Sequence, residues 1–319
     1  MTMRILFAGT PEIALFSLDA LEQAGRLPVA VLTNTDAPQG RKRTLVAPPV
    51  KQWAAARNIP VLQPERLDTS ARQAVRALQP EILVTVAYGR IFGPRFLDLF
   101  SSGGINLHPS LLPRHRGPSP IQAAILAGDA RTGVSVQRLA LEMDAGDVLA
   151  SREVALTGTE TARELHDALG ALGATLLVRV VQEIEEGREH GTPQRADGVT
   201  HCSLITRDDG ALDWSESAVQ IDRMVRALTP WPGVRCRWNG TELHLTRTSL
   251  LPATMDDTPG VPATPGTVTG VDRTRGILIQ TGSGIICVSR LKLQARREMD
   301  FLSFLNGNST IIGSVLEQA

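Results

Sequence analysis

The densest group of polar residues in the chain lies between residues 104 and 118, where prolines and glycines alternate with basic side chains. Asn106 and His108 stand in its first half, directly after a strand-like run. Side chains two positions apart in a strand share a face, so we expect this pair to project together near the strand's end. An asparagine amide can donate a hydrogen bond to an oxygen that gains negative charge, and a histidine can move a proton near neutral pH.

A catalytic histidine needs a third group to orient its ring, and a carboxylate is the usual one. Glu142, Asp144 and Asp147 lie in a turn between two predicted strands, 133–139 and 147–153, and the spacing alone does not choose among them. An amide donor, a base and a carboxylate suit acyl transfer to an amine. Since no serine or cysteine occupies a nucleophile elbow, direct transfer is favoured over an acyl-enzyme.

The first half of the chain alternates between strand-length apolar runs and helix-length segments, which predicts βαβ units with a parallel sheet. Ligands of such sheets bind outside the carboxyl ends of the strands, where Asn106 and His108 fall. A long helix is predicted over 159–187. The earlier strands are predicted at Ile5–Ala8, Val29–Thr33, Pro60–Leu62 and Ile82–Ala87, and the helices between them at Glu12–Ala24, Val50–Arg57 and Ser70–Leu78.

After residue 190 the pattern changes from long elements to short alternating segments. A polar stretch with glycine and proline predicts a linker at 190–207, between a catalytic domain at 1–189 and a β-barrel domain at 208–319. Asn239-Gly240 separates two alternating runs and is a strong signal for a tight hairpin.

Composition excludes several classes of protein. The 319 residues carry 33 Lys+Arg against 33 Asp+Glu, so nucleic acid would have to be held by local basic patches rather than by bulk charge. The three cysteines have no C-x-x-C spacing, and the six histidines stand at no zinc-ligand spacing with them, so we expect reduced thiols and no metal. With neither a secretory signal nor a long apolar run, the expected location is cytoplasmic.

Residues 106–113, together with Arg116-Gly117-Pro118, resemble the signature of the tetrahydrofolate-dependent formyltransferases. The segments Phe7–Pro11 and Asp36–Arg41 resemble the branch that acts on initiator tRNA, as does Arg226–Gly233 in the second domain. The likeness spans nearly the whole chain. It implies a Rossmann-like formyltransferase domain of mostly parallel strands, followed by a small OB-like β-barrel that binds tRNA.

The resemblance also implies a reaction, namely transfer of the formyl group of 10-formyltetrahydrofolate to the α-amine of methionyl initiator tRNA through a tetrahedral intermediate. Asn106 would hold the formyl oxygen, and His108 would stabilise its charge or shuttle a proton. The family's aspartate stands two residues before a Gly-Asp pair, which is Asp144 here. This residue would orient the imidazole and raise its pKa.

We expect the protein to act as a monomer. The resemblance also implies two binding regions. The tRNA acceptor stem would contact Arg41, Lys42 and Arg43. The folate would lie against Val86, Tyr88, Gly89, Arg90, Ile91, Ser110, Leu111, Leu112 and Pro113.

Two segments depart from the family pattern without removing a proposed catalytic group. Ala140–Met143 replaces the usual turn before the aspartate, and Arg90–Pro94 is one residue longer than usual. The alternative function is N-formylation of a nucleotide-linked amino sugar or a purine precursor by the same three groups. A non-catalytic RNA-binding protein is disfavoured because all three groups are present.

Overall fold

The computed structural model of the protein describes residues 2–40, 43–251 and 263–319. The chain forms two compact units. The first comprises residues 1–121, 131–155 and 164–203, and the second comprises residues 122–130, 156–163 and 204–319.

The elements from residue 5 to residue 185 mostly alternate between strands and helices, as the apolar periodicity predicts, with an added pair of short strands, β3 and β4, before α2. In chain order they are β1 (Ile5–Gly9), α1 (Ile13–Gln23), β2 (Ala30–Leu32), β3 (Ala37–Gln39), β4 (Thr44–Val46), α2 (Pro49–Ala55), β5 (Val61–Leu62), α3 (Thr69–Ala77), β6 (Ile82–Val86), α4 (Pro94–Leu97), β7 (Gly104–His108), α5 (Pro120–Ala127), β8 (Arg131–Arg138), β9 (Val148–Ala155) and α6 (Ala162–Glu185).

The first unit is built on a seven-stranded sheet with the order β5-β2-β1-β6-β7-β8-β9. The strands from β5 to β7 are parallel, and β8 and β9 are added antiparallel. Every residue of β1 and β6 is buried, which is why both read as unbroken apolar runs. The mostly parallel, Rossmann-like sheet is confirmed.

Strands β7 and β8 bring a row of polar side chains to one face of the sheet. Asn106 is paired with Gln137, and His108 is paired with Ser135. Opposite residues of an antiparallel pair project to the same side, so these four side chains are neighbours. The loops that follow the parallel strands β6 and β7 begin at the same edge.

The second unit is an antiparallel sheet with the order β12-β13-β14-β11-β10-β16, and β15 pairs with β14. Asn239 and Gly240 both have positive φ, 49° and 72°, as a tight hairpin requires. The elements are α7 (Ala218–Leu228), β10 (Val234–Trp238), β11 (Thr241–Leu250), β12 (Val268–Asp272), β13 (Gly276–Gln280), β14 (Ile285–Leu293), β15 (Met299–Asp300), α8 (Phe301–Gly307) and β16 (Glu317–Gln318).

The two edges of this sheet are joined by the last residues of the chain. The backbone of Val268 in β12 exchanges hydrogen bonds with Gly313 and Ser314, and Leu316 N donates to Gly266 O. Strand β16 then pairs with β10. These bonds curl the sheet on itself, so the predicted small β-barrel is confirmed.

Most of the stretch that the sequence marks as a linker packs in the first unit. Thr192 forms a backbone bridge with Val148, and His201 forms one with Arg116. The start of this stretch therefore lies beside β9, and its end lies beside the loop that follows β7. The boundaries 1–189, 190–207 and 208–319 stay a prediction.

Across the described parts of the chain, no helix combines the length and the apolar character that crossing a membrane requires.

The fold predicts a large stability difference between two leucines. Leu83 in β6 is fully buried among Tyr88, Phe92 and Phe96, whereas Leu27 is 48% exposed. Leu83→Ala leaves a cavity and should lower the free energy of unfolding by about 2–5 kcal/mol. Leu27→Ala should change it by no more than about 0.5 kcal/mol. Urea unfolding followed by circular dichroism measures both, and equal effects would contradict the placement of β6 in the core.

Candidate active site

The centre of the polar face is the carboxylate of Asp144, whose side chain is only 12% exposed. Its Oδ1 accepts hydrogen bonds from Gln137 Nε2 at 2.9 Å and from Asn106 Nδ2 at 3.3 Å. Its Oδ2 accepts one from the backbone N–H of Gly117 at 2.9 Å. Burial of a charge is costly unless it is hydrogen-bonded, and these three donors compensate that cost.

His108 lies between this carboxylate and a backbone carbonyl. Its Nδ1 is 3.6 Å from Asp144 Oδ2, and its Nε2 is 2.9 Å from the backbone oxygen of His115. A carbonyl oxygen can only accept, so Nε2 carries a hydrogen and donates it. Nδ1 is then the atom at which a second proton is held, next to the negative charge of Asp144.

Burial lowers the pKa of His108 below its ordinary value, because the ring is almost entirely withdrawn from water. The charge of Asp144 and the hydrogen bond to His115 act in the opposite direction but do not outweigh burial. Asp144 does raise the pKa of His108, as expected, but burial lowers it by more, so the net direction is downward. A neutral imidazole near pH 7 is ready to accept a proton.

The turn that carries Asp144 has an unusual backbone. Asp144 has a φ of 53°, in the left-handed region that aspartate tolerates better than most residues. A Cβ on Gly146 would stand 1.9 Å from the backbone oxygen of Arg138, so only glycine permits this close approach. The altered segment 140–143 still delivers the carboxylate to the histidine.

The two other candidate carboxylates lie elsewhere. Glu142 is mostly exposed and forms an ion pair with Arg116 at 3.2 Å. Asp147 is exposed and directly precedes β9. Of the three carboxylates that the sequence leaves open, Asp144 is the one beside His108.

The loop after β6 uses the side chains of two predicted folate residues inside the protein. Tyr88 is buried and stacks on Phe92 with ring centroids 5.4 Å apart. Arg90 donates to the backbone oxygens of Pro64 and Glu65. The Tyr88 side chain is therefore withdrawn from the surface, whereas the Arg90 side chain is only half-buried.

The same loop leaves surface open beside the sheet. Val86 ends β6 and is buried, while Ile91 is 69% exposed. Gly89 has a φ of 80°, and a Cβ added to it would meet nothing within 4 Å. That these residues contact the folate stays a prediction.

The second predicted folate segment, Ser110–Pro113, is fastened to β8. Ser135 Oγ donates to Ser110 O and accepts from Leu112 N, and Ser110 Oγ donates to Arg114 O. A Cβ on Gly133 would stand 2.7 Å from Leu111 Cδ2, so the Leu111 side chain lies against β8. These contacts fix the backbone of the segment from Ser110 to Leu112 against β8.

Of the three predicted tRNA-binding residues, Arg41 and Lys42 lie outside the described residues. Arg43 is exposed, with a φ of 50°, in the connection between β3 and β4. The base of this loop is anchored, because Lys51 Nζ contacts both carboxylate oxygens of Asp36 at 2.8 Å.

Sequence reasoning missed three residues of the site. Gln137 lies within a predicted strand, but only the register with β7 places it opposite Asn106. Gly117 contributes a backbone N–H, which no side-chain pattern reveals. Gln194 lies in the predicted linker and donates to the backbone oxygens of Asp144 and Gly146. Within residues 2–40, 43–251 and 263–319 no group of three metal-binding side chains occurs.

An amide, an imidazole and a carboxylate lie together at the end of β7, a set of groups that suits a group-transfer enzyme of the acyl-transfer type. Comparison with known families places the chain within that class. Residues 3–181 match the family described as formyl transferase, and residues 204–309 match the formyl transferase C-terminal domain. The chain belongs to the formyl transferase family.

Individual relatives agree over the full length. The methionyl-tRNA formyltransferase of Treponema denticola is 40% identical, with 96% of this chain and 97% of the relative covered. The protein of the same name from Halorhodospira halophila is 41% identical, with 99% and 100% covered. Among solved structures, an N-formyltransferase from Helicobacter canadensis, in complex with folinic acid and dTDP-3-aminofucose, is 17% identical. Its TM-score is 0.64, with 90% of this chain and 99% of that one covered, so it shares the fold.

The site predicts how His108 titrates. Because burial lowers its pKa, NMR titration of the labelled ring should give a midpoint below about 6.5. Asp144→Asn removes the charge that partly offsets burial and should lower the midpoint further. Asp147→Asn removes an exposed carboxylate of the same turn and should leave the midpoint unchanged. A midpoint above 6.5 in the unsubstituted protein would contradict this description.

Proposed function

We propose that the protein transfers the formyl group of 10-formyltetrahydrofolate to the α-amino group of methionyl initiator tRNA. The observation that carries the proposal is the assembly of Asn106 and His108 around the largely buried carboxylate of Asp144. Full-length relatives at about 40% identity bear the name of that activity, which supports the choice of substrate.

The residues divide the work of the transfer. The folate supplies the formyl group, whose carbon bonds to the amine nitrogen as its bond to the folate nitrogen breaks. Asn106 uses one amide N–H on Asp144, and its second N–H is the donor we assign to the formyl oxygen as that oxygen gains charge. His108 takes up the proton lost by the amine at Nδ1, where Asp144 stabilises the imidazolium, and returns it to the departing nitrogen.

The position of the site favours this division. His108 is only 4% exposed, so a proton held there is shielded from bulk water. The turn that carries Asp144 and the loop after β7 fix the carboxylate from two sides. The imidazole is therefore oriented before substrate arrives, which lowers the entropy cost of reaching the transition state.

Amino-sugar and purine-precursor N-formyltransferases remain the second candidate class, because the same three groups would serve them. The Helicobacter canadensis protein has the same fold and carries dTDP-3-aminofucose in its solved structure. The relatives named for methionyl-tRNA are 40% and 41% identical to this chain, against 17% for the Helicobacter canadensis protein. We therefore favour the tRNA substrate.

The basic loop is our proposed contact for the tRNA acceptor stem. It carries Arg41, Lys42 and Arg43 on a chain of zero net charge. Guanidinium groups can bind phosphates through two hydrogen bonds, so a few arginines suffice where bulk charge is absent. We further propose that the protein works as a cytoplasmic monomer.

Loss of either catalytic side chain should slow the transfer without preventing folding. In an assay with labelled 10-formyltetrahydrofolate and charged initiator tRNA, Asn106→Ala and His108→Ala should each lower kcat by at least about 100-fold. His190→Ala, which removes an exposed histidine, is the matched control and should keep full activity. Full activity in either site variant would remove that residue from the mechanism. Label appearing on a nucleotide-linked amino sugar but never on tRNA would establish the alternative substrate.

The basic loop should affect tRNA and not folate. Arg41→Ala and Arg43→Ala should raise KM for tRNA several-fold, and each should lower the slope of log KM against log salt by about 0.7–0.9 if one phosphate contact is lost. Folate affinity should stay constant in both variants. Arg131→Ala, at an exposed arginine on β8, is the control and should change neither quantity. Weaker folate binding with unchanged tRNA kinetics would show that the assignment of the loop is wrong.

A further inference from the structure

The side chain of Gln194, in the predicted linker, contacts the turn that carries Asp144. It lies in the segment that follows α6, half-buried beside β8. Its Nε2 lies 2.8 Å from the backbone oxygen of Asp144, 2.8 Å from that of Gly146 and 3.2 Å from Gln137 Oε1. All three acceptors belong to the structure that presents the Asp144 carboxylate.

The hydrogen count shows which of these contacts are strong. A glutamine amide nitrogen carries two hydrogens, and the two 2.8 Å contacts use both. The contact to Gln137 is the longer, third one. Gln194 therefore acts mainly on the backbone of the turn, at a residue whose φ of 53° lies in the left-handed region. Such a conformation is stable only where its surroundings hold it.

The amide oxygen of the same side chain binds Arg116, in the loop that follows β7. It accepts from Arg116 Nε at 3.1 Å and from the terminal Nη2 at 2.9 Å. Arg116 is buried, and the next residue, Gly117, donates its N–H to Asp144 Oδ2. One amide group thus joins the turn that carries the carboxylate to the loop that supplies one of its donors.

We propose that Gln194 is a positioning residue for formyl transfer, fixing the Asp144 carboxylate against His108 by bridging the backbone of the 144–146 turn and the Arg116 guanidinium. This role rests on the proposed function. Gln194 does not reach the reacting atoms, since its polar atoms are taken up by Asp144, Gly146 and Arg116. Its effect passes through the orientation of Asp144.

Two substitutions distinguish the contacts of Gln194 to the 144–146 turn from its contacts to Arg116. Gln194→Met keeps the length of the side chain and removes both the donors and the acceptor. Gln194→Glu keeps an oxygen for Arg116, as an ion pair, but turns a donor into an acceptor facing two carbonyl oxygens. Arg195→Met is the matched control, because Arg195 is adjacent and its side chain is 81% exposed.

A positioning role predicts a specific pattern of kinetics. Both Gln194 variants should lower kcat by at least about tenfold, because small misplacements of a catalytic group are costly, while KM for folate and tRNA stays within about twofold. In Gln194→Met, which adds no charge, a displaced Asp144 raises the pKa of His108 less, so the acid limb of the pH profile should move to lower pH. The NMR titration midpoint of His108 should fall in parallel. Arg195→Met should match the unsubstituted protein in every measurement.

The outcomes separate this proposal from the proposed function. If the unsubstituted protein transfers no formyl group, the proposed function fails, and the His108 midpoint alone decides the role of Gln194. If the protein is active and both variants keep its kcat, pH profile and midpoint, Gln194 is not a positioning residue. Loss of folding in Gln194→Met leaves Gln194→Glu, which retains the Arg116 contact, as the deciding variant. A decrease in kcat in Arg195→Met equal to that in the Gln194 variants would also overturn the proposal.

Discussion

The site depends on the compensation of one buried negative charge. The carboxylate of Asp144 would be costly to withdraw from water without partners, and its partners come from three separate parts of the chain. Asn106 and Gln137 approach Oδ1 from neighbouring strands, and the backbone of Gly117 approaches Oδ2. Removal of any one donor leaves part of the charge uncompensated. The same hydrogen bonds that make this burial tolerable also fix the carboxylate beside His108.

The sheet makes this arrangement possible because it fixes the register of two strands. With Asn106 opposite Gln137 and His108 opposite Ser135, one face carries four polar groups at the edge where the loops after β6 and β7 begin. Burial lowers the pKa of His108 and the Asp144 carboxylate raises it, and the effect of burial is the larger. The lowered pKa favours the neutral imidazole, and Asp144 stabilises the charged form when Nδ1 takes up a second proton.

Local patterns predicted the elements well, and the site less completely. The unbroken apolar runs of β1 and β6, the tight hairpin at Asn239-Gly240 and the strand spacing of Asn106 and His108 all depend on neighbours in sequence. Gln137 and Gln194 depend on contacts across 7 and 50 residues to Asp144, which no local pattern records. The net pKa of His108 is not predictable for the same reason, because the carboxylate that raises it is visible in the sequence and the burial that lowers it is not.

The central claim is that Asp144 and His108 act as one unit, and a double-mutant cycle on kcat tests it most directly. Asp144→Asn, His108→Ala and the double variant are compared with the unsubstituted protein in the formyl-transfer assay. If the aspartate acts through the histidine, the double variant should be little slower than His108→Ala alone, since the single effects are then not additive. Fully additive losses would show that the two residues contribute independently and would contradict the account.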